Sequence, residues 1–312
     1  MKNLVITIVC IAMSVLMAPT AHAATVAPAT IELLGDRGQV VEDSITVINT
    51  HTAPQTYFLS TMKFSSSGEA GVPRFIPNEE DQSGFPLWIS FPVREIEVPA
   101  NSKVDVPFSV AVPADAQAGG HYAAITVSEA LYDVVATNGA IIDAKTAVLL
   151  LLTVNGPELN PSAQILDFVS DLEDKTVSVI GGEVETRIQN QGNVHIAPSV
   201  HVVIKDMRGA VIAQKQLNPE GKRLLPGTTR EFSGEIRTIK EDASFFEVIS
   251  FQMQNLTIGR MSAVLSISFD EVVLTKVVAF TVIPWQLILT FICSIIVLLL
   301  LYKGLRVLTK RR

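Results

Sequence analysis

Lys103-Val104-Asp105-Val106-Pro107-Phe108-Ser109-Val110-Ala111-Val112 is the stretch that decides the fold. Val104, Val106, Phe108, Val110 and Val112 are apolar at every second position, with Lys103, Asp105 and Ser109 between them. Side chains alternate across a strand, so this period of two gives one face to a core and the other to water. Pro107 falls on the outer face and places the strand at an edge or a bulge, because proline lacks the ladder N–H. Met261, Ala263, Leu265, Ile267 and Phe269 repeat the pattern, with Ser262, Ser266 and Ser268 opposite. Further strands are expected at Ile45–Asn49, Tyr57–Phe64, Tyr122–Val127, Val200–Ile204 and Phe245–Met253, and the apolar run Ala147–Val154 reads as a buried strand. Turn signals separate them, among them Pro99-Ala100-Asn101, Pro113-Ala114-Asp115 and Asp206-Met207-Arg208-Gly209. Before Pro284 no stretch shows a sustained 3.6-residue period, so the expected class is all-β, a sandwich of short strands.

The chain repeats itself. A strand ends in Val47-Ile48-Asn49, a turn follows at Val98-Pro99-Ala100-Asn101, and Gly120-His121-Tyr122-Ala123-Ala124-Ile125 comes next. The second half has Ile188-Gln189-Asn190, then Leu225-Pro226-Gly227-Thr228-Thr229, then Gly259-Arg260-Met261-Ser262-Ala263. Three landmarks in the same order imply two tandem immunoglobulin-like β-sandwich domains, expected at 24–156 and 157–283.

The two ends have other characters. Lys2 followed by an apolar run from Leu4 to Met17 reads as a signal peptide (1–23), with Ala21 and Ala23 at the cleavage positions. Trp285 to Tyr302 contains no charged residue. At about 1.5 Å per residue it spans roughly 27 Å, near the thickness of a hydrocarbon core. A transmembrane helix is therefore expected at 284–302, bracketed by Trp285 and Tyr302 as interfacial anchors. Lys303, Arg306, Lys310, Arg311 and Arg312 form a basic tail (303–312) that the positive-inside rule assigns to the cytoplasm, making a single-pass protein of the plasma membrane.

The segments between carry 18 basic and 31 acidic residues, a net charge of −13, which repels nucleic acid and anionic lipid. Both cysteines, Cys10 and Cys293, lie in the apolar terminal segments, so no disulfide staples the sandwiches. A cysteine-free exterior with short terminal signals points to a prokaryotic surface.

Asn49, Trp88, Val98-Pro99, Val112-Pro113 and Gly119-Gly120-His121-Tyr122 resemble the amino-terminal domain of bacterial WxL-interacting proteins and, more distantly, pilus chaperones. Asn190-Gln191-Gly192-Asn193, Leu225-Pro226-Gly227-Thr228 and Phe280-Thr281-Val282-Ile283-Pro284-Trp285 resemble the membrane-proximal half of the same architecture. The resemblance implies a surface scaffold that binds a cell-wall polymer or another surface protein, and it transfers no site residue.

Chemistry is sparse. His51, His121, His195 and His201 show no metal-ligand spacing, no cofactor motif is present, and no nucleophile elbow or phosphate loop occurs. Glu79-Glu80-Asp81 and Asp167, Asp171, Glu173 and Asp174 lack the spacing of a calcium loop and read as solvated turns. The expected function is a non-enzymatic, membrane-anchored adhesion or scaffolding protein. The alternatives are an anchored assembly chaperone for surface or pilus subunits, or an accessory subunit of a membrane complex. Partner binding is expected on the long polar insertion Ser65 to Gly84, which holds Arg74-Phe75-Ile76 and runs on to Phe85.

Overall fold

The computed structural model describes residues 24–76, 83–129, 145–240 and 242–310. They form two compact units. One comprises the residues up to Ser65 together with Phe75 to Pro157; the other comprises Ser66–Arg74 together with the chain from Glu158 onward. Both are immunoglobulin-like β-sandwiches, and a C-terminal apolar helix follows the second.

The first unit contains β1 (Thr25–Ala27), β2 (Thr30–Gly35), β3 (Val40–Asn49), β4 (Gln55–Ser67) and β5 (Val72–Ile76) apart from their adjoining ends within Ser66–Arg74, then β6 (Ile89–Ser90), β7 (Glu95–Val98), β8 (Ser102–Ala111), β9 (Gly119–Glu129) and β10 (Lys145–Val154). One sheet runs β1-β3-β8-β6; the other runs β2-β10-β9-β4-β5, with β7 also on β4. The opening period of two is realised in β8: Val106, Phe108 and Val110 are buried between the sheets with Ile45, Val47, Ile125 and Leu150. The short strand β6 pairs with β8 only at Ser109 and Val110, so the flank of β8 beside Pro107 carries no ladder. That is the edge position its missing N–H requires.

The second unit contains β11 (Ala163–Ser170), β12 (Thr176–Val177), β13 (Gly181–Asn190), β14 (Ser199–Lys205), β15 (Val211–Gln216), β16 (Thr229–Arg237), β17 (Gly259–Phe269) and β18 (Val272–Val282). Its sheets run β11-β13-β16 and β12-β18-β17-β14-β15. Val200, Val202, Leu265, Ile267 and Phe280 fill the space between them. The topology repeats that of the first unit. In each, the opening segment is divided: one part pairs antiparallel in one sheet (β1 on β3, β11 on β13), and the next pairs parallel with the last strand of the other (β2 on β10, β12 on β18).

The repeated asparagines have a shared task. Asn49 ends β3 at 1% exposure and Asn190 ends β13 at 0%. Asn49 Nδ2 donates to Ala53 O at 2.9 Å and Val98 O at 3.0 Å, and Oδ1 accepts the His51 N–H at 2.8 Å. Asn190 Nδ2 donates to Val194 O and Leu224 O, each at 2.8 Å, and Oδ1 accepts the Gly192 N–H at 2.9 Å. Each amide therefore closes its own loop and ties it to the turn preceding the next strand. In Asn190-Gln191-Gly192 the glycine is required: a Cβ there would lie 2.2 Å from the Asn160 carbonyl oxygen.

Phe245–Met253, expected as a strand, is a helix instead, α1 (Phe245–Gln254). Ser244 caps it: its Oγ accepts the Glu247 N–H at 3.4 Å, and the Glu247 carboxylate accepts the Ser244 N–H at 2.7 Å. This reciprocal pair satisfies two donors that a helix start leaves open. Ile249 and Gln252 are its buried residues, at helical spacing. The Ser244 backbone and hydroxyl hydrogen bonds hold the Glu247 carboxyl below its ordinary pKa. A carboxylate with a lowered folded pKa stabilises above its unfolded pKa, and that stability is lost as pH falls through the folded value. Ser244→Ala should weaken the helix by about 1 kcal/mol. The readout is a lower amide-exchange protection factor across Phe245–Gln254, and acidification of the wild type should lower that factor too once the slower intrinsic exchange at low pH is divided out.

The last element is α2 (Trp285–Lys310), a helix of 26 residues. The stretch Trp285–Arg306 is long and apolar enough to cross a membrane. Lys303 and Arg306 sit on this helix rather than in a separate tail, since nothing between Tyr302 and Lys310 breaks it. Cations at a helix C-terminus also complement its dipole.

Candidate functional site

The site begins in the parity of four strands. Tyr57 and Leu59 of β4, Ile125 and Val127 of β9, and Leu150 and Leu152 of β10 point into the first core. The intervening residues point outward, and many of them are also apolar. The register places Leu151 beside Tyr122, and Leu149 beside Ala124, which in turn lies beside Met62. Phe64 meets Tyr122 edge to face with ring centroids 6.3 Å apart, and Phe75 of β5 lies 6.5 Å from Phe64. A row thus crosses four strands: Leu151, Tyr122, Phe64, Phe75. Its inner members are shielded (Leu151 3% exposed, Phe64 8%) and its far end is open, with Phe75 40% exposed. Leu34 and Phe58 stand exposed on outward positions of β2 and β4.

Gly120 has a local reason. The Tyr122 side chain folds back over it, and a Cβ at 120 would lie 1.9 Å from the Tyr122 hydroxyl. Two polar groups on this face satisfy each other: Ser60 Oγ and Thr126 Oγ1 are 2.6 Å apart. Beneath it, burial and then the neighbouring Glu129 push the Tyr57 phenol above its ordinary pKa.

The four residues expected to bind a partner are separated. Phe75 belongs to the outer face. Arg74 and Ile76, its neighbours on β5, have the opposite parity; Arg74 is exposed and Ile76 half-buried. Phe85 is 3% exposed and joins the core, its ring 5.7 Å from Trp88, which packs with His121 at 4.7 Å. The insertion expected to be irregular is largely the β4–β5 hairpin. Its tip, Ser66–Arg74, belongs by its contacts to the second unit. There the Glu69 carboxylate takes the Arg187 Nε–H at 2.9 Å, and Ala70 O accepts from Arg230 at 2.7 Å. The sequence marks Tyr122 only as a strand landmark and gives Phe64, Leu149 and Leu151 only as members of strands.

Trp285 and Tyr302, the expected interfacial anchors, are both exposed on α2, as are Lys303 and Arg306. Lys310 closes that helix. Ala21, Ala23, Arg311, Arg312 and the cluster Glu79-Glu80-Asp81 lie outside the described residues. Among the described residues no three His, Cys, Asp or Glu side chains group as metal ligands. His51 meets Glu129 at 3.0 Å and His201 meets Ser199 at 2.9 Å. The second unit has a cleft of about 350 Å³ lined by Ile180, Ile212, Arg237, Phe251 and Gln252 among others. Its one cation, Arg237, is paired with Glu235.

No protein-family model matches the chain, and no curated protein does. Solved structures resemble it at low identity. The class 5 fimbriae chaperone CfaA is 12% identical, with a TM-score of 0.41 over 81% of this chain and 98% of that one. The E. coli chaperone DraB is 9% identical, with a TM-score of 0.35 over 81% and 97%. The Pseudomonas aeruginosa CupB2 chaperone is 12% identical, with a TM-score of 0.34 over 80% and 97%. The resemblance to pilus chaperones thus has a counterpart among solved structures, and the one to WxL-interacting proteins has none among these. Identities of this order carry no residue-level correspondence.

Proposed function

We propose that this chain is a non-enzymatic, membrane-anchored protein-binding module that holds another surface protein, as an assembly chaperone or scaffold does. In this reading α2 spans the membrane, the sandwiches lie outside the cytoplasm, and the basic residues from Lys303 onward lie inside.

The observation that carries the reading is the apolar outer face of the first unit. A solvated sandwich sheet alternates apolar inward with polar outward. Here the outward positions include Leu34, Phe58, Phe75, Tyr122 and Leu149. Exposed apolar residues that include aromatic rings are the composition of an interaction site, and Leu34, Phe58 and Phe75 are the exposed ones here. The hydroxyls of Ser60 and Thr126 are spent on each other. The exposed Leu34, Phe58 and Phe75 side chains suit a partner with apolar side chains.

The test is a photo-crosslinking residue introduced at Phe75 or Leu34 of the full chain in its own membrane. Adducts with a second protein are expected from both positions and none from Asp270, in the β17–β18 turn. Phe75→Asp should weaken capture about tenfold or more, since losing one buried ring removes about 1.5–3 kcal/mol. Adducts that contain glycan alone, or protein adducts from Asp270 and not from Phe75, would reject the reading.

A further inference from the structure

Helix α1 has two apolar sides. Ile249 and Gln252 face the second sandwich. Phe246 and Met253 point elsewhere, 79% and 68% exposed. They are seven residues apart, two turns along one line of the helix. Leu256, 66% exposed, and Ile258, 54% exposed, continue the surface past the helix end. Strand register fixes where this surface lies. Gly259, the next residue, pairs with Val282, two residues before Pro284. Met207, 76% exposed, reaches the same end, its sulfur 3.7 Å from where a Gly259 Cβ would stand.

The helix is also fastened to the start of α2. Gln252 Nε2 donates to Gln286 Oε1 at 2.9 Å, and Gln252 Oε1 accepts the Leu287 N–H at 3.0 Å. Gln286 Nε2 in turn donates to Ser178 Oγ at 3.2 Å. Both glutamines are buried, and the Phe245 ring lies 6.3 Å from Trp285. The exposed apolar residues of α1 are thereby held at the level of the first turn of the apolar helix.

From this continuity we infer that α1 and the segment to Ile258 lie in the bilayer interface, with Phe246, Met253 and Leu256 inserted at the headgroup–acyl boundary. A helix with Phe246 and Met253 on one line and Glu247 and Gln254 on another, about a quarter-turn round, is suited to that plane. The inference rests on the reading that α2 spans the membrane. It adds that the second sandwich is seated on the lipid surface, and it names lipid as the occupant of this patch.

The test uses the full chain with Cys10 and Cys293 replaced by serine. Single cysteines are introduced as Phe246→Cys, Met253→Cys, Asp270→Cys or Leu298→Cys and labelled with an environment-sensitive fluorophore. All four wild-type residues are exposed, so the labels need no repacking. The labelled proteins are placed in phosphatidylcholine–phosphatidylglycerol nanodiscs whose acyl chains carry bromine at a shallow or a deep position. Labels at 246 and 253 should lose fluorescence to the shallow bromolipid and the label at 298 to the deep one. The label at 270 should lose it to neither, because it stands at the far end of strands of 11 residues, about 37 Å away. If 298 is quenched while 246 and 253 behave like 270, α2 spans but α1 stands clear of lipid, and the inference is wrong. If 298 is unquenched, the spanning reading fails and takes this one with it.

Discussion

Asn190→Ala should destabilise the second sandwich by about 1–3 kcal/mol. The side chain is fully buried and makes three hydrogen bonds to main chain: two donated, to Val194 O and Leu224 O, and one accepted from Gly192 N–H. Alanine removes all three, but Leu224 O keeps the Ile196 N–H at 3.1 Å and Gly192 N–H keeps Ser162 O at 3.1 Å, so the full penalty falls on Val194 O. A buried polar group stripped of its partner costs about 1–3 kcal/mol, and neighbouring losses add incompletely. Asn190→Asp should be no better, because it replaces the donating Nδ2 with an oxygen aimed at two carbonyl oxygens. The exposed neighbour supplies the control, Gln191→Ala, which should stay within about 0.5 kcal/mol. Urea unfolding of the three variants measures the differences. Equal, small losses at 190 and 191 would mean that the strands alone hold the loop. Asn49 has the same role in the first unit, and Asn49→Ala should act there in the same way.

Phe108→Ala should cost the first sandwich about 3–5 kcal/mol, as the loss of a large buried side chain from a packed interior. Phe108 is 2% exposed and sits between Val106 and Val110 in the β8 row. Asp105→Ala, on the other face of the same strand, should cost under about 0.5 kcal/mol. Its hydrogen bond from Thr46 Oγ1, at 2.6 Å, is solvent-exposed. The two variants differ only in parity along one strand, so equal effects in denaturant would contradict the sidedness of β8.

The fold was legible where one face is wet. In β8 and β17 the polar intervals mark the period, and the strands follow from it. Helix α1 was hidden because aromatic and β-branched residues on two of its sides blur the 3.6-residue repeat. The Ser244…Glu247 cap was the available signal. The asparagine landmarks were visible as a repeat, but their partners are main-chain carbonyls, which any sequence supplies. The outer face left a trace in Ala147–Val154, apolar at both parities: Leu150 and Leu152 serve the core, and Leu149 and Leu151 the opposite side. Such a run shows that both faces are covered, without showing by what. Phe75 and Phe85 look alike in sequence. They part because one sits on a strand and the other opens a short 3-10 turn, Phe85–Trp88, that folds it inward.

The parallel pairing of β2 with β10 and of β12 with β18 has a mechanical consequence. In the first unit the chain enters β2 at Thr30, beside Leu149, and leaves β10 at Val154, beside Gly35. In the second, β12 lies parallel to β18, and Ile283 N–H reaches Val177 O at 2.8 Å just before the helix begins. Tension between the two ends of either unit pulls such strands past each other along their length. The hydrogen bonds between them are then loaded in shear, all together, rather than peeled one at a time. If α2 anchors the chain as proposed, a pull from outside meets its resistance along its own line, in the same ladder that closes each sandwich.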